Sequence, residues 1–216
     1  DGYDCMTIGE APMLPPKKAL RYIAEGEDQT LDMMFTFDHM QADCLFTEYV
    51  PLPFSLRKLK DAFGRWQRTL DGKAWNALYL ENHDHPRVIS RYGNEAFRVE
   101  SGKMLAVCYL FQKGTPFVYQ GQEIGMVNTH FATIDELPDV SAHNQYRRMR
   151  EQGKTDDGAM VVINKAARDN ARTPMQWNGD TFAGFSTAEP WLPVNPNHIG
   201  VNVEAEEADP ASVLAF

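Results

Sequence analysis

Four short apolar runs, each closed by polar residues, alternate along the chain with segments of helical spacing. The runs fall within residues 3–10, 31–40, 74–84 and 115–123, and each predicts a buried strand. Apolar residues recur at helical spacing from Leu56 to Leu70, after Ser55 as a predicted N-cap and before a stop at Asp71-Gly72. A second long helix is predicted within residues 95–114. Apolar strands alternating with helices predict an α/β fold with a parallel sheet.

The segments between these elements are predicted to be loops. They include the connection between the first two strands, with its polar residues 25–29, and the proline-containing stretch TEYVPLPFS. Residues 126–167 form a polar insertion that is longer than an ordinary connection, so we expect a functional loop with some helix of its own. The final stretch, DPASVLAF, predicts the first turns of another helix.

Ionisable residues stand where the predicted strands end, at Glu10, Asp38-His39, His83-Asp84 and Glu123. The carboxyl ends of successive parallel strands converge on one face of a barrel. In an open doubly wound sheet they would meet only near a switch point, and the chain has no glycine-rich phosphate fingerprint. We therefore expect residues 1–216 to form one barrel-based domain. We also expect Glu10 and Asp84 to follow neighbouring strands and to point into a common hollow.

Charge and cysteine content exclude several classes of protein and partner. The net charge is −9 and no basic stripe is present, which argues against nucleic acid or an anionic membrane as a partner. Part of the acidity lies in the run EAEEADP, and the acidity is interpreted as mostly a solvated face. Three widely spaced cysteines argue against a disulfide framework or a zinc ribbon, so a reducing, cytoplasmic location is expected. No apolar run approaches the ~20 residues of a membrane span, and no signal peptide is visible. Because the chain starts DGYDCMTIGE, we interpret it as the interior of a longer protein.

The chemistry of the strand-end residues has more than one interpretation. Glu10 follows a mostly apolar strand, and a carboxyl beside apolar residues can stay protonated and act as a proton donor; alternatively, it is a surface residue after a turn. Asp84 either belongs to a catalytic site or caps the next helix. His83 and His85 invite a metal interpretation, but Pro86 follows and no third ligand is near, so no metal site is predicted. Two carboxyls on separate strands are the minimum requirement for glycoside cleavage.

Four motifs occur in one order along the chain: TIGEAP, ENHDHPRVISRYG, GTPFVYQGQEIGM and ARDNARTPMQW. Together they resemble glycoside hydrolase family 13, the α-amylase family, in its oligo-1,6-glucosidase, dextran glucosidase and α-glucosidase branch. FTFDHM and PWLPVNPN fit the same branch. The resemblance implies an incomplete TIM-type (β/α)8 barrel, of which this chain supplies the C-terminal half with strands 5 to 8. The N-terminal half-barrel and the C-terminal β-domain are then absent.

The resemblance also implies roles for individual residues. Glu10 is expected to be the general acid/base, Asp84 the carboxylate that stabilises the transition state, and His83 a donor to the bound glucose ring. Either Arg168 or Arg172, with Arg168 favoured, is expected to close the sugar subsite through a salt bridge to an upstream Asp. Tyr119, Gln120 and Glu123 are expected to line or brace the end of the last strand, in a structural rather than a catalytic role. No cofactor is expected, and any Ca²⁺ site would lie in the missing N-terminal half.

The implied activity is that of an exo-acting, retaining α-glucosidase acting on α-1,6 or α-1,4 bonds of short oligosaccharides, monomeric at full length. This chain alone is expected to be inactive, because the motif that holds the nucleophilic Asp is missing. Two alternatives from the same family are a sucrose isomerase or trehalulose synthase and a non-catalytic transporter heavy chain. A third is a carbohydrate-binding module. The first is disfavoured because HPRVISRYGNE lacks an arginine-rich signature, and the second because Glu10 and Asp84 are both retained.

Overall fold

The computed structural model describes residues 5–216, and the chain forms two compact units. The first comprises the chain up to Tyr79 together with Cys108–Phe117, and the second comprises Leu80–Val107 and Val118–Phe216. The first predicted strand run begins at Tyr3, so its first two residues lie outside the described part. No helix among residues 5–216 is long and apolar enough to cross a membrane.

The first unit is built on a parallel sheet. Its strands are β1 (Ile8–Gly9), β2 (Met33–Phe35), β3 (Cys44–Leu45), β4 (Thr47–Pro51), β5 (Trp75–Leu78) and β6 (Thr115–Pro116). Four of them form one sheet in the order β1-β2-β5-β6, and all neighbouring pairs are parallel. The predicted α/β fold with a parallel sheet is confirmed. Because β2 lies between β1 and β5, the expectation that Glu10 and Asp84 follow neighbouring strands is wrong.

Two helices cover this sheet. Helix α2 (Leu56–Leu70) has the predicted bounds, and it buries Trp66 and Leu70. The Ser55 side chain is its N-cap and accepts a hydrogen bond from the Lys58 amide. Helix α1 (Pro16–Ile23) occupies the connection that was predicted to be a loop. Proline at its start is compatible with this helix, because the first helical position needs no N–H. Ala19 and Ile23 of α1 pack with Met34, Trp66 and Leu70 in one core cluster.

The polar residues at the end of β2 have structural partners. His39 is buried and stacks on Phe63, with ring centroids 5.1 Å apart. Asp38 accepts hydrogen bonds from Arg65 at 2.5 Å and from the indole N–H of Trp66 at 3.0 Å. The following stretch, predicted to be a loop, carries the antiparallel pair β3 and β4.

The second unit contains most of the helices. They are α3 (Val88–Tyr92), α4 (Arg98–Leu110, whose last residues belong to the first unit), α5 (Val140–Glu151), α6 (Asp156–Ala166), α7 (Asp169–Arg172) and α8 (Val203–Ala208). The predicted insertion at 126–167 thus holds α5 and α6. The predicted helix in DPASVLAF is wrong, because this stretch forms turns and the helix α8 precedes it. Glu206 in α8 is buried against Arg98 at 2.6 Å, so the acidic run is not simply a solvated face.

Candidate active site

A closed loop between β5 and α3 displays His83 and Asp84. The Glu81 carboxylate closes it, accepting from Arg87 Nη1 at 3.0 Å and from the Val88 amide at 2.8 Å. The Val88 amide is the first of α3, so the carboxylate that serves the start of this helix is Glu81. The alternative in which Asp84 caps the next helix is therefore wrong. Asp84 is free for another role, with 37% of its side chain exposed.

Two guanidinium groups hold the same oxygen of Asp84. Arg168 Nη1 and Arg172 Nη2 each donate to Asp84 Oδ1 at 3.0 Å. Arg172 Nε also donates to the carbonyl oxygen of His83 at 2.8 Å, which fixes the loop as well as the side chain. His83 Nε2 lies 3.3 Å from Asp84 Oδ2, and 61% of the His83 side chain is exposed. One oxygen of the Asp84 carboxylate is thus anchored, while the other, Oδ2, lies beside the largely exposed imidazole of His83.

Both arginines come from α7 and its N-cap, and buried aspartates hold them in turn. Arg168 Nη2 donates to Asp139 Oδ1 at 2.7 Å, and Arg172 Nη1 lies 3.8 Å from Asp169 Oδ1. Asp169 Oδ2 accepts the backbone amide of Asp139 at 3.0 Å. Five residues therefore form a closed ring of contacts, which we call the charge ring: Asp84, Arg168, Asp139, Asp169 and Arg172. Four of its contacts are Arg–Asp pairs, and the fifth is the hydrogen bond from the Asp139 amide to Asp169.

Burial and charge act in opposite directions on the carboxylates of the charge ring. Burial raises the pKa of Asp139, but hydrogen bonds from Arg168 and from the Ser141 amide outweigh it and leave that pKa below its usual 3.8. Burial raises the pKa of Asp169 above its usual value, and the Asp139 amide offsets only part of this rise. The hydrogen bond to Asp139 raises the pKa of Arg168, so its guanidinium stays charged.

A third arginine, Arg87, supports both the loop and α7. Arg87 is fully buried and donates to the carbonyl oxygens of Gln120 at 2.7 Å and Ala171 at 3.4 Å, in addition to Glu81. The Tyr119 hydroxyl donates to the same Ala171 oxygen at 3.1 Å, and burial raises its pKa. These contacts agree with the bracing role expected for Tyr119 and Gln120.

Glu81 is the buried partner in this brace. Burial raises its pKa, the positive charge of Arg87 opposes that rise, and the nearby Glu123 adds to it.

The structure brings four of the five predicted site residues together. His83, Asp84, Arg168 and Arg172 share one network in the second unit. Glu10 belongs to the first unit, where it directly follows β1 and is exposed, which does not match the apolar surroundings expected for it. Among residues 5–216, no group of three or more His, Cys, Asp or Glu side chains is arranged to hold a metal ion.

The sequence interpretation missed Glu81, Arg87, Asp139 and Asp169. Glu81 and Arg87 flank the His83-Asp84 motif, so their placement around it was a usable signal. Asp169 lies between the two predicted arginines and was equally visible. Asp139 meets Arg168 across 29 residues of chain, and no local pattern marks it.

A parallel sheet covered by helices, with a charged site on the loop that follows one of its strands, is typical of the TIM-barrel class, to which the family match assigns the chain. More narrowly, it belongs to the alpha-amylase catalytic-domain family, whose model matches residues 1–216. The family predicted from the four motifs is confirmed.

The similar proteins have several specificities. The chain is 44% identical to an oligo-1,6-glucosidase of Parageobacillus thermoglucosidasius over 217 residues, which cover 99% of this chain and 38% of that protein. A trehalose-6-phosphate hydrolase structure from Bacillus licheniformis matches with a TM-score of 0.93 and 40% identity, over 99% of this chain and 39% of the other. An isomaltulose synthase structure from Klebsiella sp. LX3 matches with a TM-score of 0.91 and 33% identity, over 98% and 39%. The chain thus spans about two fifths of the length of these relatives.

Proposed function

We propose that this chain is part of an exo-acting, retaining α-glucosidase that hydrolyses terminal α-1,6 or α-1,4 bonds of short oligosaccharides. We call the longer protein that would contain it the parent protein. In this proposal the chain supplies strands 5 to 8 of the parent barrel, so β1 corresponds to the fifth strand and carries the general acid/base Glu10. The nucleophilic Asp comes from the part of the parent that precedes this chain.

The arrangement of Asp84 carries the proposal. Asp84 has one oxygen fixed by Arg168 and Arg172, while its other oxygen lies beside the exposed His83 imidazole and 37% of the side chain remains accessible. A preorganised carboxylate of this kind can bind sugar hydroxyls and stabilise the positive charge that develops on the ring in glycoside cleavage.

The chemistry then divides between two carboxyls of this chain. Glu10 donates its proton to the glycosidic oxygen as the bond breaks and later accepts a proton from the attacking water. Asp84 acts electrostatically on the sugar, with His83 as a donor to the same ring. Arg168 is already held by Asp84 and Asp139, and Arg172 by Asp84 and the His83 carbonyl, so both arginines support the subsite by fixing Asp84.

Hydrolysis is favoured over glucosyl transfer by the order of the similarities. The oligo-1,6-glucosidase relative is 44% identical, whereas the isomaltulose synthase is 33% identical. The trehalose-6-phosphate hydrolase, at 40%, is also a hydrolase by name and makes a phosphorylated disaccharide a necessary comparison substrate.

Turnover of the wild-type parent protein tests the proposal. We expect glucose release from isomaltose, with sucrose isomerised and trehalose 6-phosphate cleaved at much lower rates. Isomaltulose as the main product from sucrose would favour the transferase instead, and no cleavage of any α-glucoside would overturn the proposal. The 216-residue chain alone is expected to show negligible turnover, and a rate near that of the parent would contradict the half-barrel assignment.

The role of Glu10 is tested by the leaving group. Glu10→Gln removes the proton donor, so we expect a loss of at least about a hundredfold on isomaltose and a much smaller loss on aryl glucosides, whose leaving groups need little protonation. The exposed Glu27→Gln is the matched control and should leave both rates unchanged. Equal losses on both substrates would remove Glu10 from the acid role.

A further inference from the structure

We propose that Asp139 is a positioning residue for Asp84 and acts on it through the Arg168 guanidinium. The inference rests on the proposed function, because it assigns to Asp84 a role that depends on its orientation. It links the predicted insertion, whose helix α5 begins beside Asp139, to the sugar-binding carboxylate.

Asp139 is a rigid attachment point. Its side chain is 1% exposed, and its Oδ1 accepts the Ser141 amide at 3.1 Å as the N-cap of α5. Its own backbone amide donates to the buried Asp169 at 3.0 Å. Both the carboxylate and the peptide of Asp139 are thus fixed by hydrogen bonds, and a buried carboxylate in such a position requires a cation. Arg168 is that cation, at 2.7 Å.

Arg168 transmits this rigidity because its two terminal nitrogens contact different carboxylates. Nη2 donates to Asp139 and Nη1 to Asp84. A planar guanidinium presents its donors in a fixed fork, so anchoring one terminal nitrogen fixes the direction of the other. A lysine would place a single point charge there and could not reproduce this link.

Arg172 provides a second hold on Asp84, so the orientation of Asp84 depends only partly on Asp139. It holds the same Asp84 oxygen at 3.0 Å and is anchored independently by the His83 carbonyl. Loss of Asp139 should therefore loosen Asp84 without releasing it. Since a hydrogen bond to a charged group is worth a few kcal/mol at most, we expect an effect on kcat of about tenfold rather than complete inactivation.

The test compares Asp139→Asn, Arg168→Met and the double variant in the parent protein. Asparagine keeps the shape and the N-cap oxygen of Asp139, while it removes the negative charge that holds Arg168 and replaces the second oxygen with an NH2 donor. We expect Asp139→Asn to lower kcat on isomaltose about tenfold with little change in KM. Because Asp139 acts through Arg168, the double variant should lose no more than Arg168→Met alone. Asp157→Asn, an exposed carboxylate in the first turn of α6, is the matched control and should be neutral.

A crystal structure of Asp139→Asn provides a readout that does not depend on turnover. We expect the Arg168 guanidinium to leave its position or to adopt several, with Asp84 less ordered. Unmoved Arg168 and Asp84 side chains would overturn the inference, and so would a kcat within about twofold of wild type in an active parent protein. So would additive losses in the double variant, which would indicate a merely structural role.

Failure of the proposed function has a different signature. In that case the wild-type parent cleaves no α-glucoside, and the crystal structure still decides whether Asp139 orients Asp84. If Arg168 and Asp84 keep their positions in Asp139→Asn, the positioning role is wrong whatever the activity. If they move, the role stands and only the reaction assigned to the site is wrong.

Discussion

Replacing Arg87 by methionine should be among the most damaging single changes in the second unit. Arg87 has no exposed surface and donates to Glu81, Gln120 and Ala171. Methionine fills similar space and leaves the Glu81 carboxylate, itself 1% exposed, without its cation. Removing one partner of a buried ion pair costs about 3–5 kcal/mol, because the remaining charge is uncompensated.

The free energy of unfolding, measured by urea denaturation of the parent protein with circular dichroism, gives this cost directly. The double variant Glu81→Gln/Arg87→Met removes the stranded charge and keeps an acceptor for the Val88 amide. We therefore expect it to be more stable than Arg87→Met by at least about 1 kcal/mol. Arg57→Met is the control, because Arg57 is 92% exposed and its contact with Asp61 is 3.8 Å long. It should be nearly neutral.

Two results would refute this reasoning. A cost for Arg87→Met below about 1 kcal/mol would mean that the pair is not buried as described or that water compensates Glu81. A double variant less stable than the single variant would mean that the carboxylate, rather than its stranded charge, carries the stabilisation. Because Arg87 also contacts Ala171 in α7, Arg87→Met should lower kcat as well, through the adjacent Arg172.

Further predictions concern stability. Ser55→Ala removes the N-cap of α2 and should cost about 1 kcal/mol in the urea titration, with Ser55→Asn close to wild type. Gly114→Ala places a Cβ 2.7 Å from the Asn76 carbonyl oxygen at a φ of +148°, so it should lower Tm more than a typical surface change does. The Asp139 carboxyl has a lowered pKa in the fold, so the stability it contributes is present above its unfolded pKa and is lost as pH falls through the folded pKa. The destabilisation by Asp139→Asn should therefore be full at pH 7 and vanish at strongly acidic pH, and an equal effect at both would contradict this linkage.

Local patterns were sufficient to predict elements that local physics determines. Helix α2 matched its predicted bounds because a periodic apolar face, a serine N-cap and a glycine just beyond its end all indicate one segment. Helix α1 was missed because the connection was assigned as a loop from its polar residues 25–29, whereas the helix is stabilised by packing of Ala19 and Ile23 against β2 and α2. The short strands β3 and β4 were also missed, because their pairing with each other carries no strong local signal.

The same distinction between local patterns and long-range contacts applies to the residues of the site. His83, Asp84, Arg168 and Arg172 lie in recognisable motifs, and the structure brings them together. Asp139 contacts Arg168 only in the folded chain, because neither its neighbours nor its spacing indicates a partner 29 residues away. Glu206 is a similar case. The acidic run around it predicted a solvated face, but its partner Arg98 lies 108 positions earlier in the chain, so no local pattern indicated the pair.

Variants that change the net charge of the charge ring distinguish two explanations for an effect on kcat. One is the orientation of Asp84, and the other is the electrostatic field of the charge ring. Its three carboxylates and two guanidinium groups leave one net negative charge, which suits a site that stabilises positive charge on a sugar. Asp139→Asn makes the charge ring neutral, so a field effect alone would also slow the reaction. Arg168→Met makes it more negative, and the double variant restores the original net charge. If charge alone mattered, Arg168→Met would be no slower than wild type. The double variant would then regain the wild-type rate that Asp139→Asn loses. If orientation matters, both variants stay slow, because in each of them Asp84 has lost one of the two guanidinium donors that fix its direction.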